Sequence, residues 1–333
     1  MLDAHKELEP LTVLIVGCGN IAGGFDKGRN LTDFPYTHAG AYIRDNRFKM
    51  AACIEPDEAR RIEFMKEWNI QLGFSSIDEM LNLDCQFDVI SICSPTIYHS
   101  HDIEVALQLN PKLIFCEKPI TTSLLDTERL VQACKTANIM MAVNHTRRWD
   151  PSVSHLQADI LSGRRGKLRS IIAIYNKGIL NNGSHMLDLL HFLVGPVSVV
   201  NVGKPVSDYL PNDPTIPVWL ENEQGVSIHL ACAHAEDYAD FELQLIFSLG
   251  VLTMEEGGLY WRERRAVESA TFKGYQKLND GARYAGEYPH AMVKAIDNIY
   301  RAIIRDDVLV SSGESALLAQ RMCEKIKQMA LAQ

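Results

Sequence analysis

The sequence predicts an α/β chain in two parts. The first half reads as a doubly wound parallel sheet, and the second as an α+β domain with a large, mostly antiparallel sheet. Two observations predict this. Short apolar runs alternate with helical spacing up to about residue 145. Beyond it, strand-like runs follow one another with little helix between them. The 333 residues also suit two domains, 1–145 and 146–333.

The elements follow in order. "LTVLIVG" is a buried strand ended by Gly17, and "FKMAACIE" is a second. "EPDEARRIEFMKEW" has helical spacing, with Pro56 near its start and acids in the first turn. "FDVISIC" is followed by the helical "HDIEVALQL". "PKLIFCE" is followed by "SLLDTERLVQACKTA", with Ser123 as its cap, and "IMMAVN" ends the series. In the second half a helix, "PSVSHLQADILSG", leads to the strand "LRSIIAIYN". "GILNNG" reads as a loop before an apolar helix. The strands "VSVVNVG", "GVSIHLACAH", "DFELQLIFS", "GVLTMEE" and "GLYWRE" come next, and helices near 288–305 and 313–331 close the chain. "KPVSDYLPNDPTIP" reads as a surface excursion.

Composition narrows the function classes. A net charge of −9 argues against nucleic acid as the main partner. No apolar run approaches the roughly 18 residues of a membrane span. The polar, acidic start "MLDAHKELEP" does not read as a secretory signal. The 8 cysteines form no C-x-x-C pair, and several lie inside apolar strands, which fits a reducing cytoplasm. No histidine stands in a cluster with metal-ligand spacing, so no metal is expected.

Gly17 and Gly19 directly follow the first strand, and Ala22 fills the third small position of G-x-G-x-x-G/A. A tight turn, close approach of a pyrophosphate to the backbone, and close packing of strand on helix are the three uses of these residues. Glu55 ends the second strand, where an acid accepts hydrogen bonds from ribose hydroxyls and repels a 2′-phosphate. That favours NAD(H) over NADP(H). The spacing from Gly19 to Glu55 exceeds the usual roughly 20 residues. The excess is the segment 24–37, read as an insertion that forms a surface loop, a lid or a substrate contact. At "FCEKPITTS" an acid and a lysine end a buried strand, where they are costly unless used. Pro119 restricts Lys118 to extended backbone.

With "GCGNIA", "CSPTIYH", "EKP", "RRWDP" and "GSHMLD" in this order, the chain resembles the Gfo/Idh/MocA oxidoreductases over nearly its whole length. The resemblance implies a Rossmann domain that binds NAD(P) and a second domain for substrate and self-association. It implies reversible hydride transfer at a hydroxyl carbon of a sugar, sugar nucleotide or cyclitol. By this likeness Lys118 and His185 are the catalytic pair. Gly17, Gly19, Asn20, Ile21, Glu55, Ser94, Pro95, Thr96, His99, Glu117 and Lys118 border the cofactor. Asn181, Asn182, Arg147, Arg148 and Asp188 are candidates for the substrate.

His185 is expected in the first turn of its helix, where the macrodipole favours a neutral imidazole able to take a proton. The family's usual acid is Asn181 here, and an amide is no general base. Asp188 either orients His185 or pairs locally. Arg148 is read somewhat more readily as a contact of Asp150 than as a substrate ligand. The departure at Asn181 keeps a second reading open, a non-catalytic protein that senses NAD(P). A soluble homo-oligomer, dimer or tetramer, acting on a small molecule away from membranes is the overall expectation.

Overall fold

The computed structural model describes residues 9–332 apart from residue 84. The chain divides into two compact units. One is the chain up to Asn144 with Met292–Glu314, and the other is His145–Ala291 with the residues from Ser315 onward. A single boundary at 145/146 therefore misses the return of residues 292–314 to the first unit.

The first unit is a six-stranded parallel sheet in the order β3-β2-β1-β4-β5-β6. Its strands are β1 Leu11–Val16, β2 Phe48–Ile54, β3 Leu72–Phe74, β4 Val89–Ile92, β5 Leu113–Cys116 and β6 Met140–Val143. Helices α1 His38–Tyr42, α2 Glu58–Glu67, α3 Thr96–Gln108 and α4 Leu124–Thr136 lie in the crossovers. β4 and β5 are buried at every position, which is why they read as unbroken apolar runs rather than alternating ones. Ser123 caps α4 by accepting the Asp126 N–H, and Asp57 caps α2 from Arg60. The order reverses between β1 and β4, the place where such sheets bind ligands at their carboxyl ends.

The returning segment closes this unit. The Arg47 guanidinium lies over the Tyr300 ring and pairs with Asp297 on α7, Ala291–Arg305. Ser311 accepts the Val143 N–H and donates its hydroxyl to the Val143 carbonyl, covering the open edge of β6.

The second unit carries a mixed sheet. Helix α5 spans Pro151–Ser162 and α6 Ser184–Val194. The strands are β7 Leu168–Tyr175, β8 Val197–Val202, β9 Val206–Leu210, β10 Asp213–Thr215, β11 Val218–Asn222, β12 Ser227–Cys232, β13 Phe241–Phe247, β14 Gly250–Glu255, β15 Tyr260–Glu268, β16 Gln276–Leu278 and β17 Ala282–Ala285. The sheet runs β16-β15-β14-β13-β7-β12-β11-β8, with β17 on β15. Only the β7–β12 pair is parallel among its described pairings. β13 buries every second residue, the period of a sheet with one covered face. That face meets α6 and α8, Gly313–Leu331, through Met186, Leu190, Cys323 and Ile326.

Two local expectations fail. "KPVSDYLPNDPTIP" is a surface excursion only at its tip, residues 209–212: β9 and β10 form a separate hairpin whose Asp208, Asp213 and Thr215 are buried. The segment Ile179–Gly183 is no loop. It is a π-turn that runs directly into α6, with the Gly183 N–H donating to the Gly178 carbonyl at 2.9 Å. His185 therefore lies past the first turn of a longer helix, where the field of the helix start has weakened.

Candidate functional site

At the end of β1 the chain turns through Gly17, whose φ is +87°. A Cβ there would lie 2.6 Å from the Ser94 backbone nitrogen, so only glycine fits. At Gly19 a Cβ would meet no protein atom within 4 Å. The chain does not need glycine at that place for its own packing, and the backbone there is open to a ligand's approach. Asn20 and Ile21 open a single turn, closed by the Gly23 and Gly24 N–H groups on the Gly19 carbonyl. No long helix follows, because the insertion occupies the crossover.

Glu55 closes the turn from the side. Its Oε2 accepts the Cys18 N–H at 3.1 Å, and its Oε1 accepts the Asp57 N–H, with Arg60 at 3.4 Å. The carboxylate thus ties the end of β2 to the glycine turn. Glycine at 17, open backbone at 19 and an acid at the end of β2 fit a dinucleotide at the switch point. The insertion is held at its neck by buried Asp26, which accepts both the Thr37 N–H and its hydroxyl. Arg29 stays inside it, over the Tyr36 ring and bonded to the Phe34 carbonyl.

The turns after β4 and β5 are tied together. Buried His99 has Nε2 2.8 Å from the Ser94 carbonyl, and Nδ1 3.1 and 3.2 Å from those of Pro119 and Ile120. It braces the Ser94-Pro95-Thr96 and Glu117-Lys118-Pro119 turns from beneath rather than presenting a nitrogen outward. Ser94 also donates to Asp102 at 2.5 Å, and burial pushes the Asp102 carboxyl up. Glu117 is likewise turned inward. Burial alone would raise its pKa, but hydrogen bonds from His38 (2.9 Å) and Asn144 (2.6 Å), with the Lys118 charge, hold it below the usual range. Lys118 follows it, half-buried, before a cis bond to Pro119. His38 and Asn144 escaped the sequence reading. His38 follows the insertion as the first residue of α1, and Asn144 follows β6 at the carboxyl edge of the sheet, which is the one signal that marks it.

The second unit gathers its own constellation. Arg148 Nε donates to both Asp188 oxygens, at 2.9 and 2.8 Å, and the pair is almost fully buried. The expected Arg148–Asp150 contact is thus replaced by Arg148–Asp188. Arg147 packs over Phe241 and beside Tyr288 and donates to the Gly257 carbonyl. Burial lowers its pKa. Both guanidiniums expected to meet substrate are engaged within the unit. Aromatic rings lie against both, Phe241 on Arg147 and Phe192 on Arg148.

His185 is half-buried. Its ring stands edge-on to that of buried His145, with centroids 5.3 Å apart and planes at 79°, and edge-on to Phe241 at 6.5 Å. His145 was also missed, although it stands immediately after the sixth strand. Asn181 and Asn182 turn their amides back, donating to the Lys177 and Asn176 carbonyls at 3.0 Å each. The hairpin clamps this segment. Asp213 accepts the Leu180 and Asn181 N–H groups, Asp208 accepts that of Lys177, and Thr215 accepts that of Gly178. Gly178 has φ +88°, and a Cβ on it would fall 2.2 Å from Asp213 Oδ2. Among the described residues no group of three or more His, Cys, Asp or Glu side chains gathers as a metal ion would need.

The profile of the family described as "Oxidoreductase family, NAD-binding Rossmann fold" (GFO_IDH_MocA) matches residues 11–145. Myo-inositol 2-dehydrogenase of Thermotoga maritima is 23% identical over 153 residues, 46% of this chain and 41% of that protein. The chain thus spans less than half the length of that curated relative. Inositol 2-dehydrogenase of Rhizobium meliloti is 27% identical over 263 residues, 71% of this chain and 76% of that protein. The solved WlbA dehydrogenase from Bordetella pertussis, in complex with NADH and UDP-GlcNAcA, superposes with a TM-score of 0.74 at 17% identity, covering 97% of each chain. That likeness speaks for the fold. Residues 11–145 thus carry the likeness to the Gfo/Idh/MocA oxidoreductase family, through its NAD-binding Rossmann domain.

Proposed function

We propose that the chain is an NAD(P)-dependent oxidoreductase that moves hydride reversibly at a hydroxyl carbon of a sugar, sugar nucleotide or cyclitol. The observation that carries this is the glycine turn at the β1/β4 switch point, with Gly17 forced to glycine and Glu55 bonded to Cys18. The relatives named above, two inositol dehydrogenases and a dehydrogenase solved with a nucleotide sugar, support the substrate class.

When bound, the nicotinamide supplies or accepts the hydride. The chain's own residues handle the oxygen and the proton. Lys118 stabilises negative charge as it grows on the reacting oxygen. His185 takes the hydroxyl proton in oxidation and returns it in reduction. Asn181 cannot share that work, because an amide neither loses nor gains a proton in this range. Lys118→Ala and His185→Ala should each lower turnover by about 10²-fold or more, with NAD affinity little changed in His185→Ala. The assay is NADH absorbance with a panel of inositols, sugars and UDP-sugars. Near-normal turnover of His185→Ala on a confirmed substrate would sink the mechanism.

NAD(H) is favoured over NADP(H), because Glu55 would repel a 2′-phosphate. Titration of both cofactors decides it, and equal or tighter NADP(H) binding overturns the preference. Arg60, beside Glu55, would then be the cation to test, since Arg29 is committed inside the insertion. The second reading, a sensor of NAD(P) without turnover, is favoured by one observation, the amide at 181. It predicts cofactor binding with no NADH formed on any member of the panel.

Two further parts of the proposal rest on the sequence and surface. Self-association through the second unit's sheet is supported by exposed Ile172, Val200 and Trp219 on its strands, and light scattering at micromolar concentration tests it. A clean monomer would count against it. Residence in a reducing compartment, the cytoplasm, is supported by eight free cysteines. No helix among the described residues is long and apolar enough to cross a membrane.

A further inference from the structure

We propose that His145 is a positioning residue for His185, and that the two imidazoles form a coupled pair. The inference rests on the reading of His185 as the proton-handling group.

His145 is 3% exposed, in a place where phenylalanine or leucine would pack without a polar cost. Its ring meets that of His185 edge-on, and Phe241 meets His185 edge-on as well. The His185 ring is therefore contacted by two rings, each standing nearly at right angles to it, a geometry that restricts its rotation. Beyond His145 lies a charge. Its Nδ1 is 3.9 Å from Asp188 Oδ2, too far for a hydrogen bond and close enough for a charge contact. Arg148 neutralises most of that carboxylate through its two bonds.

Around His145 lie Asp188, Arg148 bonded to that carboxylate, and His191, which feels both charges. Burial pushes the His191 pKa down, which keeps it neutral near pH 7. With Asp188 already compensated, a proton on His145 disfavours one on His185, so the pair holds a single proton readily and a second reluctantly. A proton arriving on His185 from a hydroxyl then meets an imidazole of fixed orientation beside a neutral partner. Asp188 does not touch His185 in this scheme; it acts through His145.

The test uses the full chain labelled with ¹⁵N-histidine, without cofactor or substrate, and the His185 signals assigned from a His185→Gln variant. In the wild type, His185 should titrate in two coupled steps. In His145→Phe, which keeps a ring but removes its nitrogens, it should titrate in one step, its midpoint raised by about one pH unit. Turnover of myo-inositol or UDP-N-acetylglucosamine with NAD, whichever the wild type uses, should fall about tenfold or more in kcat, with KM within about twofold. If His145→Phe loses its cooperative melt, His145→Gln replaces it under the same two readouts. An unmoved midpoint overturns the proposal, and so does a moved midpoint with unchanged kcat. If the wild type turns over no member of the panel, the enzymatic reading fails, and the midpoint alone decides whether the histidines are coupled.

Discussion

Replacing Asp150 by asparagine should stabilise the second unit at neutral pH and remove a pH dependence that the wild type shows. Asp150 caps α5 through Oδ1, which accepts the Ser152 N–H at 2.8 Å. The residue is 0% exposed, and its Oδ2 has no hydrogen-bond partner among the described residues. Burial pushes its pKa from 3.8 to about 6, against the opposing pull of the Ser152 N–H and the Arg147 charge. The unfolded chain has no such burial and keeps the ordinary value. Between about pH 4 and pH 6 the folded state therefore holds a proton that the unfolded state has released, and each rise in pH favours unfolding. Stability contributed by this group is present in full below pH 4, falls across the window and is flat above it. The shift corresponds to about 3 kcal/mol. Asparagine ranks with aspartate as a cap and does not ionise, so Asp150→Asn should lose the fall. Urea unfolding at pH 4.5 and pH 7.5 measures it. A two-unit chain need not melt in one step, so tryptophan fluorescence is read in a Trp68→Phe background, where it follows the second unit through Trp149, Trp219 and Trp261. The quantity to read is the difference between wild type and variant at each pH, which cancels the other titrating groups. Equal differences at the two pH values, or a less stable variant at pH 7.5, would refute the reasoning.

Three further outcomes are expected. Arg148→Ala strands the Asp188 carboxylate, 2% exposed, and should cost about 3–5 kcal/mol in the same melts; a loss under about 1 kcal/mol would mean the pair is not holding α6. Gly178→Ala drives a methyl onto Asp213 at a φ of +88°, so it should destabilise the second unit by about 2 kcal/mol or more and lower turnover with it; a neutral result would place the hairpin clamp elsewhere. Gly17→Ala meets the Ser94 backbone at 2.6 Å and should abolish NAD binding in fluorescence titrations while leaving the second unit's melt unchanged; retained affinity would show that the turn is not the cofactor's seat.

What the sequence disclosed follows from what each residue pairs with. β4 and β5 are legible because a strand covered on both faces must be apolar throughout, a local property. Ser123 is legible as a cap because its partner lies three residues away. The hairpin at 206–215 is illegible because Pro, Asn and Asp mark turns, and nothing local says that Asp208 and Asp213 will be buried against the backbone of 177–181. Asn-Asn-Gly read as a loop for the same reason; its conversion into a π-turn depends on Asp213, more than thirty residues on. The glycine turn, Lys118 and His185 stand out in the sequence because each lies in a motif. His38, Asn144 and His145 belong to no motif, and their roles arise only when the chain brings Glu117 to the first two and His185 to the third.

The amide at 181 is best understood through its neighbours. Its Nδ2 donates to the Lys177 carbonyl, and its backbone N–H donates to the Asp213 carboxylate. An aspartate in this place would face a carbonyl oxygen with an oxygen of its own, two acceptors with no proton between them. It would also add a third acid to a segment already held by Asp208 and Asp213, where burial pushes the Asp213 carboxyl up. Negative charge in this part of the chain is spent on holding the π-turn in shape, by receiving backbone N–H groups that the helix start leaves without partners. Once acids serve the backbone, the residue that turns toward the chemistry has to carry a proton without carrying a negative charge. Imidazole does this and carboxylate does not. The asparagine at 181 and the second histidine at 145 are then two sides of one arrangement, in which the proton chemistry proposed for this unit rests on His185 and its neighbour rather than on an aspartate.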